Sequence, residues 1–222
     1  MYNKEKVEEF RKEVRESQNS WLTPRVHAIF NFGALLCLCV FLFYQVSDLN
    51  PWELLALPAT LVLGNLTIYL IHRFPLHIKY KVIDKETFHP HSVVHHHFYT
   101  KDNYQVNNPI DAHSIFFPPS VIMIFTFVII PVLYLILNLF LPHNILFLTL
   151  GMGAMYFVLY ETVHFASHLP EGNWALKSPH FKRMKAYHKT HHNLSLMTEY
   201  NFNIVFPLFD YVFGTYKKVD KD

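Results

Sequence analysis

Histidine residues recur at short spacings along this chain, and their chemistry is the strongest clue to its function. Seven of the 26 residues from position 72 to position 97 are histidine, and more follow between positions 164 and 192. Neutral imidazole is the commonest protein ligand for transition metals, because its nitrogen lone pair binds a cation without burying a formal charge. The pattern therefore indicates a metal centre.

Four blocks of histidine have spacings that suit shared coordination. His164 and His168 lie one helical turn apart and share a face, and the block that starts at His188 repeats this spacing. Pro75 should break the helix between His72 and His77 and redirect the second imidazole. The predicted ligands are His72, His77, His91, His95, His96, His164, His168, His188, His191 and His192. Since one ion takes four to six ligands, ten histidines imply two metal ions.

One choice within these blocks stays open. In the run from His95 to His97, either adjacent pair could supply the ligands. Apart from His97, five histidines lie outside the predicted ten, at spacings that do not suggest shared coordination. We expect most of them not to bind metal: His27, His89, His113, His143 and His180.

The elements that must position these residues are long apolar runs. Hydrophobic residues make up 51% of the 222 residues and charged residues only 16%. Residues 28–46, 52–71, 116–141 and 144–163 form four apolar runs, and about 20 helical residues cross the hydrocarbon layer of a bilayer. The sequence predicts an all-α integral membrane protein with four transmembrane helices.

Short turns at residues 47–51 and 141–143 predict that the four helices form two hairpins. Of the 19 lysines and arginines, six precede the first apolar run, five lie in residues 73–101 and eight lie from residue 177 onward. By the positive-inside rule, both termini and the central polar segment are cytoplasmic. Every histidine block then lies at the same membrane face, which predicts a cytoplasmic, histidine-rich helical cap that holds the di-metal site.

Composition also argues against some partners and pairings. The net charge is only +2, and no basic helix carries base-reading or stacking residues, so we expect no nucleic-acid partner. Cys37 and Cys39 lie inside one apolar run on different helix faces and are predicted to be packing residues. Residues 1–20 predict a mixed-charge helix with Val7, Phe10 and Val14 on one side, solvated at the membrane surface.

Several motifs around the histidines resemble those of a known family. They are residues 72–77 (HRFPLH), 116–119 (FFPP), 158–164 (VLYETVH), 185–192 (KAYHKTHH) and 208–215 (LFDYVFGT). In order and spacing, over about residues 50–216, they are similar to the fatty acid hydroxylase and sterol desaturase superfamily, most closely its fatty acid 2-hydroxylase branch. With the apolar runs, we expect three parts: an N-terminal cytoplasmic or interfacial helix (1–27), a membrane-embedded domain that the resemblance implies is catalytic (28–216) and a short charged tail (217–222).

The resemblance implies an oxidoreductase with two iron ions, although zinc could occupy the site in purified protein. Such an enzyme activates O2 and hydroxylates a lipid acyl chain drawn from the bilayer, in the endoplasmic reticulum or a bacterial inner membrane. Its electrons come from an external donor such as cytochrome b5 or a ferredoxin. A basic patch for that donor is expected at Lys177, Lys182, Arg183, Lys185 and Lys189.

A carboxylate is expected to orient a ligand imidazole. Glu161, one turn before His164, is the candidate catalytic residue, and Asp84, Asp102 and Asp210 are weaker candidates. An ionisable side chain so close to a membrane span is costly to bury and is often functional.

Other functions remain as alternatives. Sterol oxidation or desaturation would use the same ligands with a different substrate cavity. An acyl desaturase fits the extra pair His164 and His168 poorly. A metal transporter would need polar ligands near the bilayer midplane, whereas these runs are apolar at their centres. A membrane metallohydrolase would commonly show an HExxH motif, which this sequence lacks.

Overall fold

The computed structural model describes residues 4–17 and 23–219, and this part of the chain contains helices and loops but no strand. Four helices are long and apolar enough to cross a membrane. We call them the first to fourth spans: Pro24–Tyr44, Pro51–Arg73, Pro119–Leu137 and His143–Ser167. The second span opens with a 3₁₀ turn, Pro51–Leu55, and continues as the α-helix Ala56–Arg73.

The remaining helices lie before, between and after the spans. They are the N-terminal helix Lys4–Ser17, a π-helix His89–His95 with the α-helical turn His96–Phe98, the histidine helix Pro179–His191 and the short helix Leu208–Val212. Three 3₁₀ turns complete the set: Lys101–Asn103, Pro109–Ser114 and Trp174–Lys177. The predicted all-helical architecture with four candidate membrane helices is confirmed.

Local sequence explains where the spans begin and bend. The Thr23 hydroxyl accepts a hydrogen bond from the Val26 N–H, and Pro24 occupies the first turn, where its missing N–H costs nothing. The third span contains Pro131, which cannot donate to the preceding turn. The backbone there widens into a π turn at Phe125–Ile129.

The fourth span is the central helix of the bundle, because it packs against the first, second and third spans. Close approach depends on small residues. A Cβ atom at Gly64 would lie 2.6 Å from Cγ of Tyr156, so the second span approaches the fourth only because Gly64 has no side chain. Gly151 likewise has no side chain where the ring of Phe43 packs against the fourth span.

The N-terminal helix differs from expectation on one face. Val7 is fully buried and Arg11 is only 2% exposed, while Phe10 and Val14 pack against a cluster of Phe98, Tyr99 and Ile115. The predicted apolar side therefore packs against the segment between the second and third spans, and Arg11 is buried with it.

Candidate metal centre

All ten predicted ligands come together in two groups of five buried histidines. Within each group, the five candidate ligand atoms lie within 4.8 Å of one another. Histidine group 1 consists of His72, His77, His91, His96 and His191. Histidine group 2 consists of His95, His164, His168, His188 and His192. Both groups could hold a metal ion.

The distances between imidazole nitrogens fit shared metal ligands. Two nitrogens that bind one ion at about 2.1 Å and at right angles lie about 3.0 Å apart. In histidine group 1 the Nε2 atoms of His72 and His91 are 2.9 Å apart, and those of His77 and His191 are 3.0 Å apart. In histidine group 2 the Nε2 atom of His192 lies 3.1 Å from that of His95.

A buried nitrogen without a protein partner gives a second test of fit. His168 Nε2 is buried and accepts or donates no hydrogen bond within residues 4–17 and 23–219. A buried polar atom is normally paired, because leaving it unpaired costs free energy. A metal ligand would satisfy this atom, so the donor set and its geometry fit a bound transition metal.

The π-helix at His89–His95 brings one pair of ligands together. In an α-helix, residues five apart point about 140° from each other. Here the His96 N–H donates to the carbonyl of His91, which closes a π turn. The Nε2 atoms of His91 and His96 consequently lie 3.2 Å apart in histidine group 1. His95, between them in sequence, belongs to histidine group 2.

Helix ends also position the ligands of two other blocks. The second span ends at Arg73, ahead of Pro75, and the turn that follows brings His77 back beside His72. The histidine helix ends at His191, so His191 enters histidine group 1 while His192 enters histidine group 2. The two groups are therefore neighbours that share two sequence segments, residues 91–96 and 188–192.

The structure also places the histidines whose role was open. His97 lies outside both groups, and its Nδ1 atom is 3.0 Å from the carbonyl oxygen of Ser92. The adjacent pair that contributes to the groups is therefore His95, in histidine group 2, and His96, in histidine group 1. His27 lies elsewhere, with its Nδ1 atom 2.9 Å from that of His113.

Backbone carbonyls hold the outer nitrogen of five of the ten candidate ligands. His95 Nδ1 lies 2.6 Å from the Ser114 carbonyl, and His168 Nδ1 lies 2.9 Å from the Tyr104 carbonyl. The Nδ1 atoms of three more histidines face carbonyls in the same way: His72 faces Phe202, His191 faces Tyr200 and His192 faces Tyr99. A carbonyl can only accept a hydrogen bond, so Nδ1 carries the proton and the Nε2 lone pair is free for a metal.

Burial keeps these imidazoles neutral. Desolvation lowers the pKa of His95 to about 3. Desolvation, followed by repulsion from neighbouring imidazoles, lowers the pKa of His96 and His188 well below the usual range. At neutral pH the groups therefore present lone pairs instead of positive charges.

The carboxylates act on backbone atoms. Glu161 is fully buried, and its Oε1 accepts a hydrogen bond of 3.1 Å from the Phe117 N–H. Asp210 accepts hydrogen bonds from the N–H groups of Phe202 and Asn203 at 2.9 and 2.7 Å. In the described part of the chain, neither carboxylate hydrogen-bonds an imidazole. Sequence reasoning missed the carbonyl partners, because no residue type marks a carbonyl.

The expected basic patch is only partly a surface feature. Lys177, Lys182 and Arg183 are exposed, and Lys189 is half-buried. Lys185 is only 5% exposed, and its ammonium group donates to the Leu169 carbonyl and pairs with Glu171 at 3.4 Å. Lys185 is therefore a structural residue and does not belong to an exposed docking surface.

One small cavity lies against the histidine groups, and a larger groove lies among the spans. The small cavity, of about 20 Å³, contacts both groups through His91, His95 and His164, and its wall includes Phe117 and Pro118. A larger apolar groove of about 770 Å³ lies between the first and third spans. Its wall includes Phe30 and Ile122, which lie near the N-terminal ends of those spans.

Comparison with known proteins identifies relatives of this site. The family model for fatty acid hydroxylase matches residues 57–215. The fatty acid 2-hydroxylase of Rattus norvegicus is 29% identical over 160 residues, which cover 70% of this chain and 37% of that protein. The Homo sapiens fatty acid 2-hydroxylase is 30% identical over 155 residues, or 69% of this chain and 37% of that protein. The chain thus spans little more than a third of the length of these relatives.

A solved structure shows a similar fold. It is described as full-length scs7p with only the hydroxylase domain visible, and it is 20% identical to this chain. The TM-score is 0.60, over 90% of this chain and 68% of that one. The four apolar helices and these relatives support an integral membrane protein. From the match over residues 57–215, the chain belongs to the fatty acid hydroxylase family.

Proposed function

We propose that this protein is a membrane-bound di-iron oxygenase that hydroxylates a lipid acyl chain. The observation that carries the proposal is the pair of five-histidine groups, each with its candidate ligand atoms within 4.8 Å of one another. Two such groups side by side provide for two ions instead of one structural ion. On the likeness to the fatty acid 2-hydroxylases, we assign the new hydroxyl group to C2 of a fatty acid or sphingolipid.

Iron is the metal that suits this chemistry, because zinc has no accessible redox change. Two bound iron ions would supply O2 activation and insertion of one oxygen atom into a C–H bond, while the other oxygen leaves as water. The water that forms needs two protons from the solvent and two electrons from an external donor, for which cytochrome b5 or a ferredoxin fits. Lys177, Lys182 and Arg183 are the exposed cations that could attract an acidic donor.

The protein's own contribution is to hold neutral imidazoles in fixed orientations and to exclude water. The carbonyls of Ser114 and Tyr104 fix the rings of His95 and His168, respectively. The small cavity contacts His91 of histidine group 1 as well as His95 and His164 of histidine group 2. A C–H bond presented there would be close to both groups.

The apolar groove supports delivery of the lipid from the bilayer. The apolar groove between the first and third spans is where an acyl chain can enter from the bilayer. Phe117, in the wall of the small cavity, is fixed by Glu161 through its N–H group. We therefore retain Glu161 as the carboxylate that acts at the site, as a positioning residue one turn before His164.

Membrane orientation is also part of the proposal. We propose that the spans form two hairpins, with both termini and the histidines on the cytoplasmic side. The distribution of lysine and arginine supports this orientation, because these residues are concentrated at residues 4–25, 73–101 and 177–221.

The test is oxygen incorporation by protein in membranes supplied with an electron donor. Under ¹⁸O₂, wild-type protein should add one ¹⁸O atom to an acyl chain, detected by mass spectrometry of the lipids. The double variant His188→Ala, His192→Ala should give no labelled product, while His143→Ala, outside both histidine groups, should behave as wild type. Unlabelled lipids from wild-type protein that holds its iron and receives electrons would contradict the proposal.

A further inference from the structure

The N-terminal helix, Lys4–Ser17, lies outside residues 57–215 that match the family, yet two of its arginines reach the polypeptide that holds histidine group 2. We infer that this helix is a positioning element for histidine group 2 and acts through Arg11 and Arg15. The inference rests on the proposed metal binding by that group, and it assigns a role to a helix that the family match does not include.

Arg11 hydrogen-bonds to both ends of a short loop, residues 98–104. Its Nε donates to the Phe98 carbonyl at 2.9 Å, and its Nη2 donates to the Asn103 carbonyl at 2.6 Å. Its Nη1 pairs with Glu8 at 2.9 Å on the same helix. The guanidinium is planar and offers five donors in a fixed geometry, so one side chain can join two carbonyls that lie apart in sequence.

The loop fastened by Arg11 carries the carbonyls that orient two ligands. The His192 Nδ1 donates to the Tyr99 carbonyl, and the His168 Nδ1 donates to the Tyr104 carbonyl at 2.9 Å. The Lys101 N–H donates back to the His192 carbonyl at 3.1 Å. Because Tyr99 follows Phe98 and Tyr104 follows Asn103, each carbonyl that holds a ligand is adjacent to one held by Arg11.

Arg15 supports the same loop from a second point. It forms a two-fold ion pair with Asp111, with distances of 2.7 and 3.0 Å to the two carboxylate oxygens. The carbonyl of Asp111 accepts a hydrogen bond of 2.7 Å from the Tyr99 hydroxyl. Tyr99 is thus held at its side chain through Arg15 and next to its backbone through Arg11.

The contacts of histidine group 1 are different. Three of its five Nδ1 atoms face Phe202, Tyr200 and the Ser92 hydroxyl, none of which contacts Arg11 or Arg15 in the described part of the chain. The N-terminal helix should therefore affect one metal site and leave the other unchanged. A general contribution to folding would affect both sites.

The experiment measures each site separately with Zn²⁺ as a redox-silent probe. His77→Ala, His191→Ala disables histidine group 1, and His188→Ala, His192→Ala disables histidine group 2. Arg11→Ala is placed in each background, and Zn²⁺ affinity is measured by chelator competition in detergent. Lys12→Ala is the matched control, because Lys12 lies on the exposed face of the same helix.

We expect Arg11→Ala to weaken Zn²⁺ binding about 10- to 100-fold where only histidine group 2 remains, and not where only group 1 remains. Arg11→Lys should recover part of the loss, and Lys12→Ala should cause none. If Arg11→Ala fails to fold, Arg15→Ala takes its place, with a smaller loss of about three- to tenfold that is again confined to histidine group 2.

Equal losses in both backgrounds, or no loss in either, would overturn the inference. If wild-type protein binds two ions and hydroxylates lipid while the arginine variants keep full affinity, only this inference fails. If wild-type protein binds no metal, the proposed function fails with it.

Discussion

The two histidine groups have the same ligand chemistry but are supported by different parts of the chain. Group 1 depends on the C-terminal segment, whose Phe202 and Tyr200 carbonyls face His72 and His191. Group 2 depends on the segment between the second and third spans, through the carbonyls of Tyr99, Tyr104 and Ser114. Two sites with the same number of histidines can therefore differ in metal affinity. A single substitution outside the ligands can change the affinity of one site alone.

Each supporting segment is fixed by charged or polar contacts. On the C-terminal side, Asp210 accepts hydrogen bonds from the N–H groups of Phe202 and Asn203 and from the Tyr187 and Thr215 hydroxyls. On the other side, the N-terminal helix supplies Arg11 and Arg15. The comparison predicts that these two sets of residues act on different sites.

The largest expected effect comes from removing ligands from one group at a time. His77→Ala, His191→Ala and His188→Ala, His192→Ala should each lower lipid hydroxylation at least about 10³-fold, because loss of one ion removes several kcal/mol of transition-state stabilisation. Product formation in membranes measures this. Activity retained by one of the two double variants would show that only one group takes part in the reaction.

Asp210→Ala should have the next largest effect. It leaves four buried donors without an acceptor, at about 1–3 kcal/mol each. We expect a lower Tm and about a 10- to 100-fold loss of metal affinity at histidine group 1, with group 2 little changed. Asp210→Asn, which keeps one acceptor, should give an intermediate result. A loss of metal affinity at histidine group 2 alone would contradict the assignment of Asp210 to histidine group 1.

Ser92→Ala should have a smaller effect on the same group. The Ser92 hydroxyl lies 3.0 Å from His77 Nδ1 and donates to the Leu76 carbonyl at 2.7 Å. Losing it should weaken metal binding at histidine group 1 by about tenfold, because His77 keeps its position but loses a partner. Zn²⁺ competition in the background with group 2 disabled measures the change. A similar loss at group 2 would contradict the separation of the two sites.

Tyr99→Phe should be the mildest change. The lost hydroxyl donates to the Asp111 carbonyl, which is worth about 1 kcal/mol of stability. The backbone carbonyl that holds His192 remains, so metal affinity at histidine group 2 should change by less than about threefold. Thermal unfolding and Zn²⁺ competition measure the two effects. A large affinity loss would mean that the side chain, and not the carbonyl, orients His192.

The sequence was informative where chemistry depends on side chains. Helical spacing and residue type identified ten histidines, and the structure brings all ten together. Apolar runs identified four helices, although the third is shorter than the predicted residues 116–141, because it begins only at Pro119 and ends at Leu137. Both signals lie in the residue types themselves.

The parts that could not be predicted depend on the backbone. The π turn that joins His91 to His96 arises from an N–H to carbonyl shift that any residue type can make. The carbonyl partners of the imidazoles are likewise independent of side chain. The buried Arg11 resembles its solvated neighbours in sequence, and only its tertiary contacts with Phe98 and Asn103 distinguish it.

The measurement that tests the central claim most directly is the metal content per chain of protein purified in mild detergent and loaded with Fe²⁺ under anaerobic conditions. The two histidine groups predict about two ions per wild-type chain. They predict about one ion in His77→Ala, His191→Ala, and again about one in His188→Ala, His192→Ala. One ion or none in the wild type, or a double variant indistinguishable from it, would contradict the two-site account.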